Sequence, residues 1–477
     1  MIFSSIPFLV YFFPIVFLGY YILSFSRMAQ NIWLLIASLL FYAWGEPIYV
    51  FLMIGSILFN SIIAIIIEKV KGQKLKKGLL VFSIVGNISV LFVFKYLMFV
   101  VGIVNSAFAG LLPEYKITLP IGISFFTFQA LSYVVDVYRG TTKAENPFYV
   151  GLYVAFFPQL IAGPIVQYNS IAEQIRSRKS SIDKVALGLS RFAVGVGKKI
   201  LIANNLAIIA NEVFNWSLIG SDKLAVPATL AWLGSIAYSL QLYFDFSAYS
   251  DMAIGLGLCF GFKFKENFNY PYVAGSISEF WKRWHISLTD WFRDYVYIPL
   301  GGNRVANKDT MVRNLAIVWL LTGIWHGANW TFIVWGMFFF AFQLFERILD
   351  FDNHVHNEFF KHVYTLLIVN FQWVLFRADD IYQAGRFYLN MFGLNNNGIL
   401  SQTALMFVRE YWMFLLAGII FSTPIIPMLN KWFHSHEKTP IHVAYSIAYP
   451  VLMSVMVIVC ISYLVIGSYN PFIYFNF

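Results

Sequence analysis

The chain has 477 residues, of which 59% are hydrophobic, 19% aromatic and only 12% charged, and its mean hydropathy is +0.68. A soluble domain carries about 25% charged residues, so the composition excludes a water-soluble globular protein and points to an all-α integral membrane protein with many spans. The formal charge of +9 reads as cytoplasmic loops and contact with membrane lipid, with no nucleic acid implied, and the two cysteines, Cys259 and Cys460, lie in apolar runs, which argues against a disulfide framework or a cysteine metal site.

The stretch from about Ile6 to Leu23 has no basic leader and no small-residue cleavage site, so it reads as a retained first helix, with Arg27 on the cytoplasmic side. Asn31 to Tyr42 and Ile48 to Ile67 are two apolar pieces split by Trp44-Gly45-Glu46-Pro47, and the shortness of the first predicts a hairpin or broken pair turning at Pro47. Lys69 to Lys77 holds five lysines in nine residues and marks a cytoplasmic loop. Leu79 to Phe108 then leads out and Leu119 to Tyr138 leads back. Phe148 to Gln167 is apolar but broken by Pro158, Gly163 and Pro164, and basic residues flank it on both sides, so a re-entrant loop is expected.

Val185 to Phe214 and Val226 to Phe260 form the next pair. The second carries Asp245 and Asp251, carboxylates that need partners in an apolar run, and Asp245 shares a helical face with Gln241 and Tyr249. Trp281 to Tyr295 alternates rings and charges as an interfacial helix would, followed by a Pro and Gly break at Pro299-Leu300-Gly301-Gly302. Leu315 to Arg347 is a long apolar run whose central ionisable side chain is His326. Tyr364 to Phe376, Tyr411 to Met428 and His442 to Ile466 complete about 11 hydrophobic segments. No second domain and no internal repeat is seen, so residues 1–477 read as a single membrane-embedded domain.

Two histidines stand apart. His354, His356, His362, His434, His436 and His442 cluster in polar stretches, whereas His326 lies in the apolar run and His285 in the Trp-rich stretch 41 residues before it. An ionisable group at membrane depth is costly and usually faces a bundle interior or a wet cavity. If the run is one helix, Thr322, Asn329 and Trp330 share the face of His326; a packing histidine bonded to a carbonyl is the alternative. No acid sits at helical spacing from His326, and Asp290 is about 140° around a helix from His285, so a metal site is not expected. A neutral buried imidazole suits general base catalysis, and Asn329, Thr322 or Ser287 can orient a ring or donate to an oxyanion. No Gly-x-Ser-x-Gly elbow is present.

Phe280-Trp281-Lys282-Arg283-Trp284-His285-Ile286-Ser287, the block Tyr295-Val296-Tyr297-Ile298-Pro299-Leu300-Gly301-Gly302-Asn303, and Gly323-Ile324-Trp325-His326-Gly327 resemble the membrane-bound O-acyltransferases. Tyr243 to Asp251 and the ending Tyr469 to Phe475 are similar to the bacterial branch that holds the alginate and peptidoglycan O-acetyltransferases, and the resemblance runs over nearly the whole chain. It implies a ring of tilted helices around a central funnel, with a catalytic core at about 119–347. It implies that His326 is the catalytic histidine and His285 a second active-site residue. The reading of the residues adds Asn329, Trp325, Ser287, Asp245 and Tyr249 as supporting candidates, Trp325 as packing and Asp245 with Tyr249 as a structural network.

By the same resemblance, an acyl group passes from a cytoplasmic thioester such as acetyl-CoA, with no bound cofactor, to hydroxyls of an extracytoplasmic polysaccharide. The route runs across a bacterial cytoplasmic membrane through a serine-hydrolase-like partner. Lys282, Arg283, Arg293 and Arg304 are candidates to attract the anionic donor, or else ordinary interface anchors. The alternatives are teichoic-acid D-alanyl transfer by the same fold, and a non-catalytic glycan or lipid transporter with His326 as a proton relay.

Overall fold

A computed structural model describes residues 2–108, 110–161, 163–217, 226–303, 307–435, 439–467 and 469–471. Arg304, His436 and residues 472–477, which carried part of the sequence reading, lie outside them. The described residues form helices and turns with no strand. Nine helices among them are long and apolar enough to cross a bilayer. Of the eleven expected segments, 119–138 and 226–260 are not in that set. The first yields only a 17-residue helix, and the second carries Ser235, Gln241, Asp245, Ser247 and Ser250 as buried polar residues.

By internal contacts the chain divides into two compact units, Met1–Phe192 with Ser250–Glu266, and Ala193–Tyr249 with Asn267–Phe477. The first begins with α1 (Pro7–Phe25), α2 (Arg27–Gly45), α3 (Tyr49–Lys69) and α4 (Gln73–Ala107). The piece read as short, 31–42, is a full 19-residue helix. It starts at Arg27 because Ser26 caps it, its hydroxyl accepting from the Ala29 N–H, and because Gln30 and Asn31 are buried with partners of their own. A reciprocal amide pair joins α3 to α4: Asn60 Nδ2 donates to Asn87 Oδ1 at 3.0 Å and Asn87 Nδ2 to Asn60 Oδ1 at 2.8 Å. Such pairs serve as polar glue between helices in an apolar surrounding.

After α5 (Ile123–Arg139) come two pieces too short to span, α6 (Pro147–Ala155) and α7 (Phe157–Leu160). Their residues from Val150 to Leu160 are all buried, as a broken backbone shielded by protein requires. After α8 (Tyr168–Ser177), Arg178 staples this unit. Its Nε donates to the Tyr20 hydroxyl and to the Phe260 carbonyl, each at 3.0 Å, and its Nη1 to Asn31 Oδ1 at 2.7 Å. Asp251, one of the two acids that needed a partner, finds it in Arg191 at 2.9 Å.

The long helices α9 (Ile182–Trp216) and α10 (Ala228–Cys259) contribute to both units. The second unit continues with α11 (Ile277–Arg283), α12 (Ile286–Phe292), α13 (Lys308–His326), α14 (Trp330–Ile348) and α15 (Glu358–Arg377). It ends with α16 (Ile381–Met391), α17 (Gln402–Phe421), α18 (Ile425–Ser435) and α19 (Pro440–Val465). Two expectations change here. The stretch expected as one interfacial helix is two short ones, and its rings Phe280, Trp281, Trp284, Trp291 and Phe292 are core residues. The run through His326 is a helical hairpin, not a single span.

Two glycines let that hairpin close. A Cβ on Gly336 would lie 2.5 Å from the Trp319 carbonyl oxygen, and one on Gly323 would lie 2.5 Å from the Phe332 carbonyl oxygen. Backbone cannot move aside as a side chain can, so α13 and α14 must separate to admit either methyl group. We predict that Gly336→Val lowers the stability of the detergent-solubilised protein by about 1–3 kcal/mol, as overpacking does. Gly55→Ala, where an added Cβ meets nothing within 4 Å, is the control and does not lower the unfolding midpoint.

Candidate active site

His326 is the last residue of α13, and the chain breaks immediately after it at Gly327, which is extended. The break has a local cause. Asn329 caps α14, its Oδ1 accepting from the Thr331 N–H at 3.1 Å, and its Nδ2 donates to the Asp379 carbonyl. The expected shared face of His326, Asn329 and Trp330 therefore does not form: the Asn329 amide is committed to the cap, and Trp330 is half exposed. Thr322 donates to the Val318 carbonyl at 2.7 Å, within its own helix.

The walls of His326 are aromatic. Its ring is edge-on to Trp335 at 4.9 Å between centroids, to Trp325 at 5.0 Å and to Phe376 at 5.2 Å. Trp335 and Phe376 come from α14 and α15, and Trp281, Trp319, Phe339 and Trp373 extend the same cluster. Edge-to-face pairs of this kind are each worth about 0.5–1.5 kcal/mol beyond the area they bury.

His285 sits at the junction of α11 and α12 with φ of 45°, the left-handed region, which strains a residue carrying a Cβ. The start of α11, at the opposite end from His285, is held by two contacts. Ser276 caps α11, and the buried carboxylate of Glu346 on α14 accepts from the N–H groups of Ile277 and Ser278 at 2.5 and 2.9 Å. The imidazole is edge-on to Phe246 at 4.6 Å and meets the Trp325 indole at 6.2 Å. The single ring of Trp325 thus touches both histidines.

The Nδ1 of His285 is 3.2 Å from Asn267 Oδ1, while its Nε2 is buried with no hydrogen-bond partner among the described residues. Burial pushes the imidazole pKa down to about 3, so the ring is neutral throughout the physiological range. A buried polar atom left without a partner costs roughly 1–3 kcal/mol.

The other expected site residues are placed as follows. Ser287 bonds Asn267 through both its N–H and its hydroxyl, at 3.1 and 2.8 Å. Asp245 is buried and pairs with Lys199 at 2.6 Å, and Lys199 Nζ also donates to the Pro471 carbonyl. Tyr249 is buried one turn along α10 from Asp245. Among the basic candidates, Arg283 pairs with Glu279 at 2.7 Å, Arg293 pairs with Asp290 and Asp294 at 2.7 and 2.9 Å, and Lys282 is exposed.

Sequence reading missed Asn267, Lys199, Glu346, Trp335 and Phe376. The rule that singled out His326 applies equally to Lys199, an ionisable residue inside the run 185–214, and would have found it. Asn267 lies in an irregular loop where no periodicity marks it.

Residues 145–382, a stretch that holds every residue of this site except Pro471, match the model of the membrane-bound O-acyltransferase family. A probable alginate O-acetylase of Pseudomonas aeruginosa is 46% identical over 401 residues, covering 82% of this chain and 75% of its own. Another from Azotobacter vinelandii is 40% identical over 511 residues and covers 100% of both chains. A peptidoglycan O-acetyltransferase of Helicobacter pylori is 34% identical over 523 residues, 100% of this chain and 98% of its own. The chain belongs to the membrane-bound O-acyltransferase family and is a multi-pass membrane acyltransferase.

Two outcomes follow from the geometry. Lys199→Ala strands a buried carboxylate and should cost about 3–5 kcal/mol in denaturation of the solubilised protein, part of which Lys199→Met with Asp245→Leu restores. The second concerns pH. The folded pKa of His285 lies below the ordinary 6.5, so its contribution to stability is complete above pH 6.5 and is lost as pH falls towards 3. The unfolding midpoint should therefore fall between pH 7 and pH 4.5, and less steeply in His285→Gln; equal slopes would remove His285 as the cause.

Proposed function

We propose that this acyltransferase is an O-acetyltransferase of the bacterial cytoplasmic membrane, moving acetyl groups from cytoplasmic acetyl-CoA to hydroxyls of an extracytoplasmic polysaccharide through a serine-hydrolase-like partner outside the membrane. The observation that carries this reading is the pair of buried imidazoles against one indole, His285 and His326 on Trp325. The names of the whole-length relatives, which specify O-acetyl transfer to alginate and to peptidoglycan, support the acetyl group and the polymer.

In the proposed chemistry His326 takes the proton of the accepting hydroxyl as the oxygen attacks the thioester carbonyl carbon. The C–S bond breaks, and the proton passes to the departing thiolate, so an ester and a thiol are formed. The position of His326 suits this role: it lies in the last turn of α13, where the helix dipole favours the positive charge it briefly carries. The aromatic walls keep water from competing with the acceptor. His285 is the second polar group of the site. Lys282, exposed and close in sequence to His285, is the basic residue best placed to draw the anionic donor, because Arg283 and Arg293 already hold acids.

The test is mild-base release of esters from the envelope and secreted polymers of cells with the protein, without it, and with His326→Ala. Acetate should be lost in the null, and His326→Ala should slow transfer by about 10²–10⁴-fold, the usual contribution of a general base. Loss of alanine would instead assign D-alanyl transfer. Full ester content in a normally expressed His326→Ala strain would remove His326 from the chemistry and favour the transporter.

A further inference from the structure

The donors that converge on Asn267 decide which nitrogen of His285 carries the proton. Asn267 is fully buried and faces the three residues at the strained junction of α11 and α12. Its backbone carbonyl accepts from the Ile286 N–H at 2.9 Å. Its side-chain Oδ1 accepts from the Ser287 N–H at 3.1 Å and from the Ser287 hydroxyl at 2.8 Å, and lies 3.2 Å from His285 Nδ1. Two residues on, the Asn269 N–H donates to the Arg283 carbonyl at 2.9 Å, so the segment 267–269 lines the junction on both sides of His285.

A backbone N–H can only donate. The atom it meets must therefore be the amide oxygen, not the amide nitrogen, which settles the orientation of the Asn267 side chain. An oxygen at 3.2 Å from an imidazole nitrogen is favourable only if that nitrogen carries the hydrogen, because two facing lone pairs repel. Nδ1 of His285 is then the protonated nitrogen, and in a neutral ring Nε2 has the bare lone pair. That Nε2 is buried with no hydrogen-bond partner among the described residues, on a ring bounded by Phe246 and Trp325.

We propose that Asn267 is the positioning residue of the site: it fixes His285 as the Nδ1–H tautomer, so that Nε2 presents a hydrogen-bond acceptor to the reacting groups. This assignment excludes one role and defines another. A bare Nε2 cannot polarise a thioester carbonyl by donating to it. It accepts, and the group it accepts from carries an O–H or N–H: the hydroxyl to be acylated, or an amide N–H of the thioester donor's arm. The two imidazoles thereby differ in task, His326 removing the proton and His285 orienting the group that bears it. The catalytic consequence rests on the acyl-transfer reading above; the tautomer does not.

The test uses the full chain in lipid nanodiscs with ¹⁵N-labelled histidine, the His285 signals being assigned by their loss in His285→Gln. The protonated nitrogen should be Nδ1 and Nε2 should show the shift of a bare nitrogen; protonation at Nε2 in the unaltered protein would overturn the proposal without any activity measurement. Asn267→Ala should mix the tautomers and slow thiol release from acetyl-CoA by roughly 100-fold in kcat with KM changed less than about threefold, in line with the loss of groups that orient a functional imidazole. Asn267→Asp, which keeps an acceptor oxygen, should restore the single tautomer and at least a tenth of the rate. A residue that merely supports folding would lower the yield of Asn267→Ala while leaving its His285 tautomer and kcat as they were, and that result also overturns the proposal. If Asn267→Ala does not fold, the spectrum of the unaltered chain decides. If the tautomer is as stated while His326→Ala retains its esters, the catalytic reading fails and the assignment of His285 stands.

Discussion

The hairpin of α13 and α14 is the constraint on which the second unit depends. Its backbones approach so closely that Gly323 and Gly336 each lie against a carbonyl of the opposing helix. That approach puts the end of α13, and with it His326, against Trp335 of α14, and it brings Glu346, further along α14, to the start of α11. Helix association inside a bilayer gains little from hydrophobicity, because lipid is as apolar as leucine, so small residues and close van der Waals packing must supply it. One helix contact thus places His326 directly and ties down the start of α11, the short helix that leads to His285.

Several of the buried polar and charged groups in this protein are handled by pairing. Asn60 and Asn87 satisfy each other, Arg178 spends its donors on a hydroxyl, an amide and carbonyls, and Lys199 joins Asp245 to the carbonyl of Pro471. An unpaired charge at such depth would cost several kcal/mol, which is why these residues come in sets. His285 has one nitrogen tied to Asn267 and the other buried with no hydrogen-bond partner among the described residues.

Much of the site was legible from residue types. His326 and His285 stood out because a titratable ring in an apolar or Trp-rich stretch needs a reason, and Asp245 stood out because a carboxylate there needs a cation. What misled was the assumption of one continuous helix through His326. Gly327 and Asn329 are ordinary stop and start signals, yet the apolar residues on either side read as an unbroken run. The hydropathy of Trp281 to Tyr295 likewise suggested an interface, because charges alternate with rings there. Packing placed the rings in the core and left Lys282 and Arg293 outside, a segregation that composition does not encode.

The sequence by itself determined that the chain is a many-span membrane protein and which family the motifs resemble, and it singled out two histidines as candidates. These follow from quantities that are local: apolar length, charge spacing and short residue blocks. Only the tertiary structure decided that Asn267, 18 residues before His285, sets that ring's tautomer, that Lys199 partners Asp245 across 46 residues, and that Trp325 stands between the two imidazoles. Hydrogen bonds and ring contacts act over a few ångströms in space and are indifferent to separation along the chain, so their partners are fixed by how the helices pack and carry no mark in the sequence around them.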